Sequence, residues 1–212
     1  MDSKKETICP SSDNVFRAFS TTTPQNIKSI WYLMDPYPRN YKGGIKQATG
    51  IAMDCSNSTD GSLQPSLEKF YEEIAKELGT KPEKSPDLTY LHDQGVMLLN
   101  TDLTCKLNKT SSHEGLWEPF QKFFLEEVMS GYTGVVYVLA GKVSHRMERY
   151  INPLGNYIFK IEHPAAASHK NSDWNSEGIF GKINKIISQN NGSDQIILWD
   201  KKDWDLQNQP PF

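Results

Sequence analysis

Short apolar runs alternate along the chain with longer stretches of helical periodicity. Four runs stand out: "IKSIWYL" (27–33), "GVMLL" (95–99), "GVVYVLA" (134–140) and "YIFKIE" (157–162). Their length and their β-branched or aromatic content predict buried strands. Between them, "SLEKFYEEIAKELG" sets Leu67, Phe70, Tyr71, Ile74 and Leu78 on one helix face. Ser66 is the expected N-cap after Pro65, and Gly79 the C-terminal stop. "LWEPFQKFFLEEVMSG" (116–131) and "SEGIFGKINKIISQ" (176–189) repeat the pattern, the second burying Ile179, Phe180, Ile183, Ile186 and Ile187. Strand alternating with helix implies parallel strands and right-handed crossovers, hence an α/β layered domain. The polar stretch 38–64 is too long for a neutral connection and is expected to serve function. "KKDWDLQNQPPF" is expected to form an ordered strap with a frayed end.

Composition narrows the class. A chain of 212 residues with 23% charged and 37% hydrophobic residues supports one domain with a real core, here taken as residues 1–212. No apolar run approaches the ~20 residues of a membrane span, and "MDSKKETICP" lacks the apolar centre of a signal peptide. The expectation is an intracellular protein, of cytoplasm or host nucleus, that is not secreted. Cys9, Cys55 and Cys105 are widely spaced and odd in number, which fits a reducing compartment and argues against a zinc or iron–sulfur site. The sequons at Asn57, Asn108 and Asn191 are then idle. A net charge of -3 gives no global attraction to nucleic acid, yet phosphates can be held by backbone N–H groups, hydroxyls and helix N-termini.

Chemistry gathers at the ends of the predicted strands. "MDPYP" follows the first, Asn100 the second, Gly141 and Lys142 the third, and "HPAAAS" the fourth. In a parallel sheet these ends share one edge, so Asp35, Tyr37, Asn100 and His163 converge on one crevice. An Asn amide matches the O4 and N3–H edge of uracil, and a tyrosine ring against C5 blocks the methyl of thymine. Neutral His163 can donate to O2 as charge develops on a departing base, while Asp35 orients a water and stabilises a cationic sugar. No step requires a metal or cofactor. Taken singly, Asp35 reads as a turn acid, Asn100 as a cap and His163 as a satisfied core histidine; their shared edge favours chemistry.

The motifs resemble those of family 1 uracil-DNA glycosylases from about residue 8 to 206. "CPSSDNVFRAFSTTTPQNIKSIWYLMDPYP" is similar to the family's "PP…IFNAF…TP…VKVVILGQDPYH", "ATGIAM" to "GLAFS" and "QPSLEKFYEEI" to "PPSLKNIYKEL". "GVMLLNTDLTCKLNKTSSHEGLWEPF" resembles "GVLLLNAVLTVRAGQANSHxxxGWExF", and "HPAAAS" resembles "HPSPLS". "DPYP", "LTCKL" and "HPAA" are closer to poxvirus-type viral members. The resemblance implies a three-layer αβα sandwich with a central four-stranded, mainly parallel sheet. It also implies a monofunctional DNA N-glycosylase that flips uracil out of DNA and leaves an abasic site.

By position, the resemblance makes Asp35 the water-activating acid, His163 the electrophile facing the leaving base, Asn100 the uracil-reading amide and Tyr37 the thymine-excluding phenol. Met34 and Met53 join the substrate-binding set. Pro65, Ser66, Ser112, Lys142, Ala167 and Ser168 form the DNA-binding set, with Ser66 and Ser168 as phosphate-pinching serines. Met53 replaces a Phe that stacks on uracil, Ala167 a Leu that wedges into the emptied stack, and Pro38 a His. A missing wedge raises the cost of extruding a paired base, so single-stranded DNA is the expected preferred substrate. His113 reads as a supporting residue, and His92, His145 and His169 as surface residues without ligand spacing. A monomer is expected, with a DNA-mimic inhibitor or a replication protein as a possible protein partner and no membrane. Two alternatives stay open: a catalytically weak scaffold of a viral replication complex, and a glycosylase for a modified uracil.

Overall fold

The four apolar runs form the strands of one parallel sheet. In the computed structural model, which describes residues 7–170 and 172–209, the first half contains β1 (Ile8–Cys9), α1 (Arg17–Ser20), β2 (Ser29–Leu33), α2 (Pro65–Leu78), α3 (Thr89–Asp93), β3 (Val96–Asn100) and β4 (Cys105–Lys106). The second half contains α4 (Glu118–Phe123), β5 (Val136–Ala140), α5 (Lys142–His145), β6 (Tyr157–Ile161), α6 (Pro164–Lys170), α7 (Ile179–Asn191) and α8 (Lys201–Gln207). The sheet order is β3-β2-β5-β6, all parallel, and β1 pairs with β4 in a separate antiparallel ribbon. Leu33 lies opposite Asn100, Tyr32 opposite Leu139, and Ala140 opposite Ile161, so the carboxyl ends are level. The chain leaves β2 toward one side and returns to the other, which opens a crevice at those ends.

Neighbouring residues of β2 face opposite sides, and each side has its own helices. Trp31 lies nearly parallel to Phe180 of α7 with centroids 5.6 Å apart, and meets Phe70 of α2 edge-on at 5.7 Å and Trp199 at 6.1 Å. On the other face, the Tyr32 hydroxyl donates to Oε1 of Gln121 on α4 at 3.0 Å. Gln121 is fully buried, and its Nε2 donates to the carbonyls of Asn100 and Thr101, each at 3.1 Å. That amide satisfies two carbonyls just where β3 ends, and it fixes the backbone beneath the Asn100 side chain.

Several boundaries differ from the sequence expectations, each for a local reason. Asn100 is the last residue of β3, not the one after it. β6 is an edge strand on which only Ile161 is buried. Ser66 lies inside α2; Gln64 precedes the helix, and Pro65 opens it with the preset φ that suits a first helical turn. Gly79 ends the helix at φ 66°, as the pattern predicts. The 116–131 helix is shorter, and its second half, Phe124–Val128, widens into a π-helical turn. His92 is buried rather than on the surface, with Nδ1 2.6 Å from Thr21 Oγ1 and Nε2 accepting the Leu98 N–H at 3.0 Å. The strap is ordered through α8, where Asp200 Oδ1 accepts the N–H groups of Lys202 and Glu83 at 3.0 Å each. The expected frayed end, 210–212, lies outside the described residues.

Phe180 has ring contacts to Trp31, Phe70, Trp174 and Trp199, all closed to solvent. Phe180→Ala should cost about 3–5 kcal/mol, because such a tight aromatic cluster cannot collapse into the space left. Urea unfolding of the two proteins measures this; a loss under about 1 kcal/mol would show that α7 adds little to the core.

Candidate active site

Asp35 leaves the end of β2 between Met34 and the rigid Pro36-Tyr37-Pro38 segment, which sets its backbone direction. Its half-buried carboxylate accepts the Ser111 N–H at 2.7 Å through Oδ2. Burial raises the Asp35 pKa; the Ser111 amide opposes the rise, and the Asp102 and Glu114 carboxylates add to it. The group is thus a somewhat strengthened base, held in one orientation by an amide from 76 residues along the chain.

Tyr37 is held from above and below. Its hydroxyl lies 2.7 Å from Ser66 Oγ and donates to the Met53 carbonyl at 3.3 Å. Burial pushes its pKa up, so the phenol stays neutral. Met53 is itself buried in the left-handed region, at φ 62°, and Tyr37 steadies that uncommon backbone. Asn100 is 8% exposed; its backbone is tied to Gln121, and its side-chain amide makes no hydrogen bond to any described residue. Asn100, Asp35, Tyr37, Met53, Ser66 and His163 line one narrow, partly open cavity, whose other wall residues are Leu33, Pro36, Ala48, Gly50 and Ile51. The last three belong to the 38–64 stretch, which accounts for its length.

His163 follows β6. Its Nδ1 accepts the Ala165 N–H at 3.0 Å, which leaves the proton on Nε2. Burial, aided by the His169 charge, brings its pKa down to about 4, so the imidazole is a neutral donor at pH 7. Gly141, after β5, lies directly beneath: a Cβ there would sit 3.0 Å from the His163 Cβ, at φ 92°. Only glycine allows both the backbone angle and the approach.

The structure sorts the expected DNA contacts. Pro65 is exposed, and its carbonyl accepts the Ser168 hydroxyl at 3.0 Å, so these two residues meet at the surface. Lys142 is exposed at the start of α5. Ser66 is 5% exposed and turned toward Tyr37. Ser112 Oγ accepts the Lys106 N–H at 2.7 Å and donates to the Lys109 carbonyl at 2.8 Å, which makes it a loop brace. Met34 is half-buried and outside the cavity lining. Ala167 is 1% exposed, because α6 turns it and Pro164, one turn apart, toward the core.

Sequence reasoning missed Ser111, Asp102 and Gly50. Their roles rest on contacts between residues far apart in sequence, which no local pattern signals. Among the described residues no group of three or more His, Cys, Asp or Glu could hold a metal ion. A much larger polar groove, about 1430 Å³, opens at the amino ends of the strands beside Gly95 and Gly134, and holds none of the expected site residues.

Gly141→Ala should lower kcat at least about tenfold by displacing His163, since small misplacements of a reacting group are costly. A kcat within twofold of the parent, at unchanged melting temperature, would show that the close approach does not set the imidazole's position.

Comparison with known proteins bears on what this cavity is for. No family model matches the chain. A uracil-DNA glycosylase of Leuconostoc citreum is 31% identical over 194 residues, 91% of this chain and 84% of that protein. One from Francisella tularensis subsp. tularensis is 34% identical over 170 residues, 78% and 73% of the two chains. The crystal structure of mimivirus uracil-DNA glycosylase superposes with a TM-score of 0.81 at 25% identity, over 91% of this chain and 75% of that one. A mimivirus variant solved in complex with UGI gives 0.82 at 25% identity, over 93% and 78%. With a third of its residues shared over most of both lengths, and the same layered sheet beneath them, the chain belongs to the uracil-DNA glycosylase family.

Proposed function

We propose that the cavity at the carboxyl edge of the sheet receives uracil flipped from DNA and that the chain hydrolyses its N-glycosidic bond, leaving an abasic site. One observation carries the assignment of roles: Asp35, Tyr37, Asn100 and His163, from three different strand ends, line the same cavity. A base stacked in a duplex exposes neither its glycosidic bond nor its pairing edge to such a crevice, so extrusion must precede chemistry.

Asn100 offers a free acceptor and donors at the cavity wall, which pair with the uracil N3–H and O4 and reject the reversed pattern of cytosine. The Tyr37 ring stands against C5, where thymine carries its methyl. As the bond between the sugar C1′ and the base N1 lengthens, its electron pair moves to the base and positive charge grows on the sugar. His163 donates its Nε2–H to O2, and because it is neutral it gives a hydrogen bond without surrendering a proton early. The Asp35 carboxylate faces the cationic sugar and directs the water that forms the new bond at C1′; the proton that water loses passes through Asp35 to solvent, and uracil leaves with the bond's electron pair as the anion hydrogen-bonded to His163. Met53 covers the base through dispersion, a softer platform than an aromatic ring.

Exposed Pro65 with the Ser168 hydroxyl bonded to its carbonyl, and exposed Lys142 at the start of α5, are the groups offered for phosphate contact. α6 carries only Pro164, three alanines and Ser168 ahead of its basic end, with no bulky apolar side chain to fill the space an extruded base leaves. The chain therefore prefers uracil in single-stranded DNA. A protein that mimics DNA would meet the same groups, and work on DNA is in keeping with an intracellular protein of cytoplasm or host nucleus.

The test uses matched single- and double-stranded oligonucleotides carrying uracil, thymine or cytosine, with abasic sites counted after alkaline cleavage. Only uracil should be released, about tenfold faster from single strands, and Asn100→Ala should slow release about a hundredfold. Equal rates on the two forms would remove the strand preference, and comparable release of cytosine would remove Asn100 as the reader.

A further inference from the structure

Asp35 is held by a loop, and the loop is held by a buried acid outside the cavity. We propose that Asp102 is a positioning residue for the hydrolytic step, clamping both the strand end that carries Asp35 and the 110–117 loop that orients its carboxylate. The proposal rests on the reading of Asp35 as the water-directing acid.

The geometry is two-sided. The Asp102 backbone N–H donates to the carbonyl of Met34, the residue before Asp35, at 3.1 Å. Its side chain, 3% exposed, turns the other way: Oδ1 accepts the N–H groups of Gly115 at 3.0 Å and Trp117 at 3.4 Å, and Oδ2 accepts from Arg146 at 3.1 Å. Arg146 also reaches the Glu114 carboxylate at 3.5 Å. Thr104 braces the loop from below, its Oγ1 accepting the Trp117 indole N–H at 2.8 Å and lying 2.8 Å from His113 Nδ1. Within this frame Ser111 is kept in the left-handed region at φ 51°, the conformation that aims its N–H at Asp35 Oδ2. An L residue there is strained and persists only where its surroundings over-determine it. Asp102 supplies that constraint.

The same acid sets part of the field at Asp35. The groups facing that carboxylate are the Asp102 and Glu114 carboxylates, the Cys105 thiol, the neutral Tyr37 phenol and His163 imidazole across the cavity, and, through Asp102, the Arg146 guanidinium. Both carboxylates make Asp35 harder to ionise. Burial makes Asp102 itself harder to ionise, while the Gly115 and Trp117 amides and Arg146 favour its charged form, and the Arg146 charge offsets that of Asp102 at Asp35. Because the reaction needs Asp35 ionised, kcat falls as pH drops through its pKa, and the position of that acid limb reports on the neighbouring charges.

The experiment measures kcat and KM against pH on a single-stranded uracil oligonucleotide for the parent, Asp35→Asn, Asp102→Asn, Asp102→Ala and Arg146→Gln. Asp102→Asn keeps an acceptor for the loop amides but loses the charge, so its plateau kcat should stay within about threefold while the acid limb moves down by about half a pH unit. Arg146→Gln leaves the Asp102 charge unopposed and should move the limb up. Asp102→Ala should lower kcat about tenfold or more with KM within twofold, since it frees the loop without touching DNA. A packing role alone would lower the melting temperature and leave both limbs in place, and that result overturns the proposal. If Asp102→Ala does not fold, the opposite shifts of the other two variants decide. An Asp35→Asn protein as active as the parent would overturn the Asp35 reading instead.

Discussion

The level register of four parallel strands is the constraint on which everything else depends. Leu33 lies beside Asn100 and Ala140 beside Ile161, so residues 35, 100, 141 and 163 emerge along one side of the sheet without any local sequence relation. A parallel sheet is stable only when both faces are covered, and the aromatic cluster on one side and Gln121 with Tyr32 on the other meet that need. The cavity forms at the carboxyl ends of the strands, where the order β3-β2-β5-β6 sends the chain to opposite sides of β2. Chemistry there relies on the rigidity of the core below it.

Above this platform, each reactive group is turned by a neighbour that is not itself reactive. Gln121 holds the Asn100 backbone, Ser111 holds the Asp35 carboxylate, Ala165 fixes the His163 tautomer, and the Tyr37 hydroxyl spans Ser66 and Met53. Burial then tunes the groups in opposite senses. It raises Asp35 and lowers His163, leaving an ionised base and a neutral donor together near pH 7. A dissociative reaction needs that combination: negative charge beside the sugar, and a hydrogen-bond donor beside the base with no second positive charge to bind the ground state.

The sequence was most legible where structure is periodic. The four strands follow from run length and residue type, the stripe of Ile179, Phe180, Ile183 and Ile187 from spacing, with the expected Ile186 only half-buried, and the Gly79 stop from its conformational freedom. The convergence of Asp35, Asn100 and His163 was legible too, because strand order matters less than strand direction in bringing ends together. What stayed hidden depends on long-range contact. Ser66 reads as a cap until Tyr37 is placed over it, the burial of Ala167 shows only once α6 is seen to rotate it inward, and His92 reads as a surface residue until Thr21 and Leu98 close around it. Asp102 carries no local signal, since its side-chain partners lie 13 to 44 residues away.

The central claim is that Asp35 and His163 act on opposite sides of one breaking bond. Single-turnover uracil release from a single-stranded oligonucleotide by the parent, Asp35→Asn, His163→Ala and the double variant tests it most directly. The account predicts that each single change slows the chemical step by at least about a hundredfold while DNA binding persists. Release by both single variants at the parent rate, from folded protein, would contradict it.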